Sequence, residues 1–101
     1  MRRIVLLCAA GLSTSILVKK MEHAAEEIGY EVEIGAYPAP EAKTVGVGAD
    51  IILLAPQAAW KISQIRDLFP DLPVEPVDMQ AYGLGDGEKV IKFVKEKLGD
   101  G

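Results

Sequence analysis

The only cysteine of the chain stands where a thiol could act as a nucleophile. Cys8 ends an aliphatic run, and the residues after it are small, apolar or hydroxylated: Ala9, Ala10, Gly11, Leu12, Ser13, Thr14 and Ser15. Small residues let successive backbone N–H groups turn toward an anion, and a helix start adds unpaired N–H groups and the positive end of its dipole. The hydroxyls can cap those donors or bind phosphate oxygens. The same field favours a thiolate. We therefore predict a nucleophilic cysteine in a phosphoryl-binding loop.

Two phosphoryl chemistries fit such a loop, and a purely structural role is the alternative to both. In a hydrolase of the low-molecular-weight tyrosine phosphatase type, five residues separate the cysteine from an arginine. Thr14 stands at that position in this chain, and no Lys or Arg occurs between Cys8 and Val18. A relay, in which the thiolate takes up a phosphoryl group and passes it on, does not need that clamp. The missing arginine favours relay. A third interpretation involves no phosphoryl chemistry: Cys8 is a small, buried apolar residue, and the hydroxyls of residues 13–15 only cap a helix.

The elements that must position this loop alternate between two hydrophobic periods. Compact or alternating apolar runs predict four strands, at Arg3 to Leu7, Glu31 to Ala36, Ile51 to Ala55 and, as an edge strand, Val74 to Val77. Helical spacing predicts helices with apolar faces at Leu17 to Ile28 (ended by Gly29), Ala58 to Leu68 and Gly87 to Leu98, and Pro40 suggests a short fourth helix. Buried strands that alternate with helices are typical of a parallel α/β sheet, here one domain over residues 1–101.

Ligands of parallel sheets gather outside the carboxyl ends of the strands. Gln57, after the third strand, is a candidate to orient the cysteine loop, or is an ordinary loop side chain. Tyr82 could form a wall of the site, but we favour packing under the last helix. Trp60 is expected in the core or as an anchor that faces a partner.

Other polar residues are assigned structural roles. His23 lies among glutamates and is expected on the surface, and Asp78 and Asp86 are expected to cap turns rather than to act as acids. Asp50 precedes its strand and so lies at the wrong end of the sheet for magnesium. We expect no metal site.

Composition narrows the function classes. Among 101 residues, 11 Lys and Arg against 15 Asp and Glu give a net charge of −4, which argues against nucleic acid as a partner. One cysteine and one histidine exclude an internal disulfide and a zinc cluster, and the lone thiol favours the cytoplasm. No apolar run is long enough to span a bilayer, so we expect no direct membrane insertion.

The chain resembles the enzyme IIB component of the lactose/cellobiose/chitobiose class of the sugar phosphotransferase system. The similar segments are residues 2–17 with the cysteine loop, Ala49 to Gln57 with its Pro-Gln pair, Asp78 to Gly83 and Asp86 to Val90. The resemblance implies a four-stranded parallel sheet with helices on both faces, the flavodoxin-like arrangement of low-molecular-weight phosphatases. The chain departs from the family pattern at Ala58-Ala59-Trp60 and at Leu84-Gly85.

For function, the resemblance implies a phosphocysteine at Cys8 and no cofactor. The donor would be a phosphohistidine on enzyme IIA, and the acceptor a β-linked disaccharide or similar sugar held by the membrane enzyme IIC. Two alternatives stay open: a low-molecular-weight phosphatase or arsenate-reductase-like enzyme, and a noncatalytic flavodoxin-like binding module. A receiver module would need an aspartate at the strand end where Cys8 stands.

Overall fold

Four parallel strands form one sheet in the order β2-β1-β3-β4. The structure, a computed structural model, describes residues 1–8 and 15–101. The strands are β1 (Arg2–Cys8), β2 (Val32–Pro38), β3 (Ile51–Leu54) and β4 (Val74–Pro76). The four predicted strands are confirmed to within two residues at each end, and β4 is an edge strand, as its prolines indicate.

The two central strands, β1 from Ile4 onward and the whole of β3, are apolar because both of their faces are covered. Ile4 and Leu6 of β1 point into one layer, while Val5 and Leu7 point into the other. All four side chains are buried, as is the whole of β3. This continuous burial explains why the sequence lacks a polar alternation in these runs.

Helices cover both faces, as predicted. They are α1 (Ser15–Glu27), α2 (Ala42–Val45), α3 (Ile62–Leu68), α4 (Met79–Leu84) and α5 (Gly87–Leu98), with 3-10 helices at Ala39–Glu41 and Pro56–Lys61. Residues of α1, α4 and α5 share one apolar cluster with the sheet, and residues of α2 and α3 share the other. None of the helices in residues 1–8 and 15–101 has the length and apolar character to cross a membrane.

Three details differ from the predictions. The helix expected from Ala58 begins instead as a 3-10 helix at Pro56, a common way to enter an α-helix. Helix α4 was not predicted, because six residues show too little periodicity, although Asp78 does cap it as expected. Ile28 is 57% exposed rather than buried, since α1 ends at Glu27 and Gly29 turns the chain away with a φ of 67°.

Helices α1 and α5 approach each other closely at a glycine. A Cβ placed on Gly87 would lie 2.3 Å from the carbonyl carbon of Lys20 and 2.4 Å from the backbone N of Met21. Asp86, just before it, caps α5 by accepting a hydrogen bond from Lys89 N at 3.1 Å. The absence of a side chain at Gly87 therefore sets how α1 packs, and α1 follows the cysteine segment.

An ionic network closes the amino end of the sheet. The Arg2 guanidinium donates two hydrogen bonds of 2.8 Å to Asp100 and one of 3.3 Å to Asp50. The Tyr30 hydroxyl donates to Asp100 at 2.5 Å, and Lys95 Nζ lies 5.2 Å from the Tyr30 ring centroid. Asp50 also accepts from the Arg3 backbone N at 2.8 Å, which confirms its place at this end of the sheet. We call these side chains (Arg2, Tyr30, Asp50, Lys95 and Asp100) the terminal clasp.

Candidate functional site

Cys8 is the last residue of β1, a central strand, and its side chain is only 1% exposed. Its neighbour on the adjacent strand β2 is Pro38. On the other side, Ala55 N donates to Leu7 O at 2.8 Å, so β1 and β3 stay paired up to their carboxyl ends. The sulfur therefore lies at the carboxyl edge of the sheet, as predicted.

The strand order makes this position a topological switch point. From β1 the chain first moves to β2 on one side and later to β3 on the other. Connections on opposite sides of the sheet leave a crevice between the ends of β1 and β3, which is where open α/β sheets bind ligands. Cys8 and the segment after β3 share this crevice.

A contact on β2 orients the cysteine. The Cys8 thiol donates to the main-chain carbonyl oxygen of Tyr37, with Sγ 3.5 Å from the oxygen. The Tyr37 ring packs on the same layer as Val5 and Leu7, over the backbone of Gly35, where a Cβ would lie 2.6 Å from the tyrosine hydroxyl oxygen. Sequence reasoning missed Tyr37, because a main-chain acceptor leaves no signature in residue types.

The 3-10 helix after β3 carries three polar or aromatic side chains, those of Gln57, Trp60 and Lys61. Gln57 is exposed in its first turn, and Ala58 is buried beneath it. Trp60 is 76% exposed, so the expectation of a core tryptophan is wrong, and the alternative, an anchor that faces a partner, stays a prediction. Lys61 Nζ lies 5.1 Å from the Trp60 ring centroid, within cation–π range. The adjacency of Trp60 and Lys61 in the sequence was the available signal for this pair.

Tyr82 and Asp78 lie farther along the edge, after the outer strand β4. The Tyr82 side chain is half-buried and packs against the apolar cluster under α1, α4 and α5. The Asp78 carboxylate accepts from Ala81 N at 2.9 Å and lies 3.5 Å from Lys89 Nζ. The hydrogen bond from Ala81 is the main cause that holds the pKa of Asp78 below its ordinary value; desolvation opposes it, and the charge of Lys89 adds to it. Its carboxyl group therefore stays ionised at neutral pH.

The remaining predicted residues fall outside this geometry. The loop residues Ala9, Ala10, Gly11, Leu12, Ser13 and Thr14 lie outside the described residues, and Ser15 is the first residue of α1. His23 is exposed on α1 and lies 3.0 Å from Glu27, as expected for a surface histidine. Within residues 1–8 and 15–101, no group of three His, Cys, Asp or Glu residues is arranged to hold a metal ion.

Comparison with known proteins identifies the family. The model of the phosphotransferase system lactose/cellobiose-specific IIB subunit matches residues 3–93. The chain belongs to this IIB family. The oligo-beta-mannoside-specific EIIB component of Bacillus subtilis is 41% identical over 92 residues, and the cellobiose-specific EIIB component of Lactococcus lactis subsp. lactis is 37% identical over 95. These alignments cover 88% and 87% of this chain and 88% of each relative. The chain is thus a sugar-specific component of a phosphotransferase system, as the resemblance implied.

Known IIB structures share the fold. The cellobiose-specific IIB component of Borrelia burgdorferi is 30% identical and superposes with a TM-score of 0.79, covering 98% of this chain and 93% of its own. The lactose-specific IIB domain of Streptococcus pneumoniae, at 24% identity, gives 0.68 and covers 95% and 96%. The four-stranded flavodoxin-like arrangement expected for the IIB family is therefore confirmed.

Proposed function

We propose that Cys8 is the residue of this IIB component that carries the phosphoryl group. The observation that supports the proposal most is the position of the sulfur, at the carboxyl end of a central strand beside the switch-point crevice. The chain offers no second cysteine, and its only histidine is exposed on α1 and paired with Glu27.

The transfer consists of two displacements at phosphorus. In the first, the Cys8 sulfur attacks a phosphohistidine of the donor; the S–P bond forms, the N–P bond breaks, and the thiol proton ends on the departing imidazole. In the second, a sugar hydroxyl attacks; the O–P bond forms, the S–P bond breaks, and the hydroxyl proton ends on the Cys8 sulfur. Both steps balance without water or metal.

We assign the phosphoryl oxygens to the loop after Cys8. The backbone N–H groups of residues 9–14 and the hydroxyls of Ser13, Thr14 and Ser15 are the groups of suitable chemistry. For Gln57, which is exposed in the 3-10 helix after β3, we propose the role of orienting this loop, whereas the half-buried Tyr82 contributes packing. A site that lacks arginine holds the dianion less tightly than a guanidinium clamp would, which suits onward transfer.

The partners we propose are the enzyme IIA component as phosphohistidine donor and the membrane enzyme IIC with its sugar, on the cytoplasmic side. Relatives named for oligo-beta-mannoside and cellobiose support a β-linked disaccharide or similar sugar. A third relative is named for galactose, so the family spans several sugars. The sugar itself is selected mainly by the membrane partner.

The geometry of Asp78 weighs against phosphatase activity. Hydrolysis of an aryl phosphate needs a protonated acid for the leaving group. The hydrogen bond from Ala81 and the nearby Lys89 keep the pKa of Asp78 low, and Asp86 is engaged in capping α5. The Asp78 carboxyl group is therefore ionised at neutral pH rather than available as a proton donor.

The direct test is labelling. The protein is incubated with phosphoenolpyruvate, the general phosphotransferase proteins and the cognate IIA, and the modified residue is located by mass spectrometry of peptides under conditions that preserve phosphocysteine. We expect one phosphoryl group, on Cys8, and negligible turnover of p-nitrophenyl phosphate. Label on another residue, or rapid aryl phosphate hydrolysis by the unmodified protein, would overturn the proposal.

A further inference from the structure

The two edges of the sheet differ in the hydrogen-bonding groups that they leave open. Strand β2 forms one edge and β4 forms the other. Arg2 N donates to Glu31 O at 3.1 Å, and along a parallel ladder every second residue of β2 makes the bonds to β1. The residues between them direct both backbone groups away from the sheet. In β2 these residues are Val32, Ile34 and Ala36.

No other described segment covers this outer side of β2. Among residues 1–8 and 15–101, no backbone hydrogen bond from a loop or cap reaches Val32, Ile34 or Ala36. None of the 7 residues of β2 is fully buried, whereas β1 is buried from Ile4 onward. An open edge strand is a template for pairing with a strand of another chain.

The opposite edge is closed to such pairing. The hydrogen bonds that Pro73 and Val77 make to β3 leave the backbone groups of Val74 and Pro76 on the outer side of β4. Arg66 Nε donates to Val74 O at 3.1 Å, so that acceptor is occupied. Pro76 has no N–H to donate. A strand arriving at β4 would therefore find little to bond to, and only β2 is suited to pairing.

The open groups of β2 match those of a second copy in one antiparallel register. When Ile34 lies opposite Ile34 of the second copy, Val32 lies opposite Ala36, and each outward donor meets an outward acceptor. Antiparallel residues that face each other in this way exchange two hydrogen bonds, so the register forms about six. A register shifted by two residues would place Val32 opposite Pro38, which has no N–H, or leave Ala36 opposite Tyr30, outside β2.

The side chains that meet in this register are compatible. Val32, Ile34 and Ala36 all pack on the layer of α1 and α5, so their cross-strand pairs are apolar and extend one apolar layer across both copies. On the other face of the sheet, Glu33 lies opposite Gly35 of the second copy rather than opposite a carboxylate.

The charges of the edge do not prevent pairing. Glu33 is the charged residue within β2, and its Oε2 lies 3.4 Å from Nε of Arg3 in the same chain. The two Glu33 side chains, which are diagonal neighbours in this register, are therefore each paired with a guanidinium. The net charge of −4 on each copy opposes association at longer range, where salt screens it.

We propose that β2 pairs with β2 of a second copy, antiparallel and centred on Ile34, and so joins the two four-stranded sheets into one. The self-complementary register identifies the occupant as a second copy. Because the paired strands run in opposite directions, the two carboxyl edges point to opposite ends of the dimer. Cys8 lies beside Pro38, and the two Pro38 residues are about 27 Å apart along the strands. The inference does not depend on the proposed function.

Sedimentation equilibrium of the full chain at physiological salt tests the association. We expect the weight-average mass to rise from the monomer value of 10.9 kDa toward twice that value as the concentration approaches about 1 mM, since an interface of this size is weak. Ala36→Pro removes an outward donor and no bond to β1, and should stay monomeric. Arg66→Gln, the matched control, uncovers Val74 O at the opposite edge and should associate as the wild type does.

Cross-linking tests the register. In a Cys8→Ser background, Ile34→Cys places two thiols at the axis, where facing Cα atoms lie about 5.5 Å apart, within reach of a disulfide. Glu31→Cys is the matched control: Glu31 is more exposed than Ile34, but its two copies lie about 20 Å apart along the strands. Mild oxidation should give a covalent dimer with Ile34→Cys and little with Glu31→Cys.

The outcomes are decisive and separate from the proposed function. A wild type that is monomeric up to about 1 mM, or equal cross-linking of the two cysteine variants, would overturn the inference. So would dimerisation of folded Ala36→Pro, and stronger association of Arg66→Gln would assign the pairing to β4 instead. Each result leaves the phosphorylation of Cys8 to be judged by its own labelling experiment. Circular dichroism of each variant checks that the fold is kept.

Discussion

The two ends of the sheet treat their charged and aromatic side chains in opposite ways. At the amino end, the terminal clasp joins Arg2, Tyr30 and Asp100 through hydrogen bonds of 2.5 to 2.8 Å, so each polar group has a partner within the chain. At the carboxyl end, Trp60 is exposed, and within the described part of the chain Lys61, 5.1 Å from that ring, forms no ion pair.

This difference assigns stability to the amino end of the sheet and function to its carboxyl end. Interactions completed within the chain can only stabilise the fold, and they involve residues at the start of β1 and at the end of the chain. A side chain left uncovered after β3, such as Trp60, is available to something that arrives from outside. Substitutions at the two ends should therefore fail in different assays.

The largest effect is expected at Cys8. Cys8→Ser should abolish phosphoryl transfer, because the hydroxyl of serine is a much weaker nucleophile than a cysteine thiol. The urea midpoint should change little, since serine is nearly isosteric. Radiolabel transferred from phosphorylated IIA measures the first property, and urea unfolding measures the second.

The control for this variant is His23→Gln, which removes the other residue able to carry a phosphoryl group. Its side chain is 72% exposed, and its ion pair with Glu27 lies on the surface of α1. Both transfer and stability should match the wild type. If the label persisted in Cys8→Ser and disappeared in His23→Gln, the carrier would be His23 and not Cys8.

The next effect should appear where α1 and α5 meet. Gly87→Ala places a methyl group 2.3 Å from a backbone carbon of α1, and backbone atoms cannot give way as a flexible side chain would. We expect a loss of about 3 kcal/mol in the free energy of unfolding. Gly83→Ala, in α4, meets nothing within 4 Å and should be neutral or stabilising by about 0.5 kcal/mol.

Urea unfolding of both glycine variants tests this contrast. Transfer activity of folded Gly87→Ala should also fall, because α1 begins directly after the cysteine loop. Equal midpoints for the two alanine variants would mean that the helices separate freely and that Gly87 does not set their packing.

The smallest effect is expected from the terminal clasp, and it depends on pH. Hydrogen bonds from Arg2 and then Tyr30 lower the pKa of Asp100 from 3.8 to about 2. The folded state therefore favours the ionised form of Asp100. The resulting contribution to the free energy of unfolding is present above pH 3.8 and is lost as the pH falls toward 2. Burial and then Asp100 raise the pKa of Tyr30 from 10.0 to about 12, so its contribution is lost as the pH rises through that interval.

Asp100→Asn should flatten the acid limb of a plot of urea midpoint against pH, while phosphoryl transfer at neutral pH stays at the wild-type rate. Asp71→Asn, at an exposed carboxylate between α3 and β4, serves as the control. Parallel acid limbs for Asp100→Asn and the wild type would show that the clasp does not stabilise the fold.

The sequence was most informative where burial is continuous. The runs of β1 and β3 are apolar because both faces are covered, and their strand character could be predicted from composition alone. The clasp could not be predicted, because Arg2 and Asp100 are 98 residues apart and meet only after the sheet and α5 have formed. Side chains that join distant segments carry no local periodicity.

The candidate site divides in the same way. Cys8 and Gln57 could be placed at one edge from parallel strands alone, since Cys8 ends β1 and Gln57 comes shortly after β3. Burial at helix boundaries was less predictable. Ile28 fits the helical spacing but lies beyond the last turn of α1, and Trp60 falls on an outward position of a 3-10 helix, whose period of three differs from the one assumed. The roles of residues 9–14 remain predictions from residue type and from the family.

The contact between the Cys8 sulfur and the Tyr37 carbonyl oxygen gives the molecule an internal reporter. A phosphorylated sulfur has no hydrogen to donate, so on transfer the Tyr37 carbonyl must lose the bond it now accepts at 3.5 Å. The carbonyl carbon of Tyr37 should then shift in a ¹³C spectrum each time the carrier is loaded and return when it is emptied. One atom on the neighbouring strand thereby lets the loaded fraction be followed in real time, without a label on the phosphoryl group.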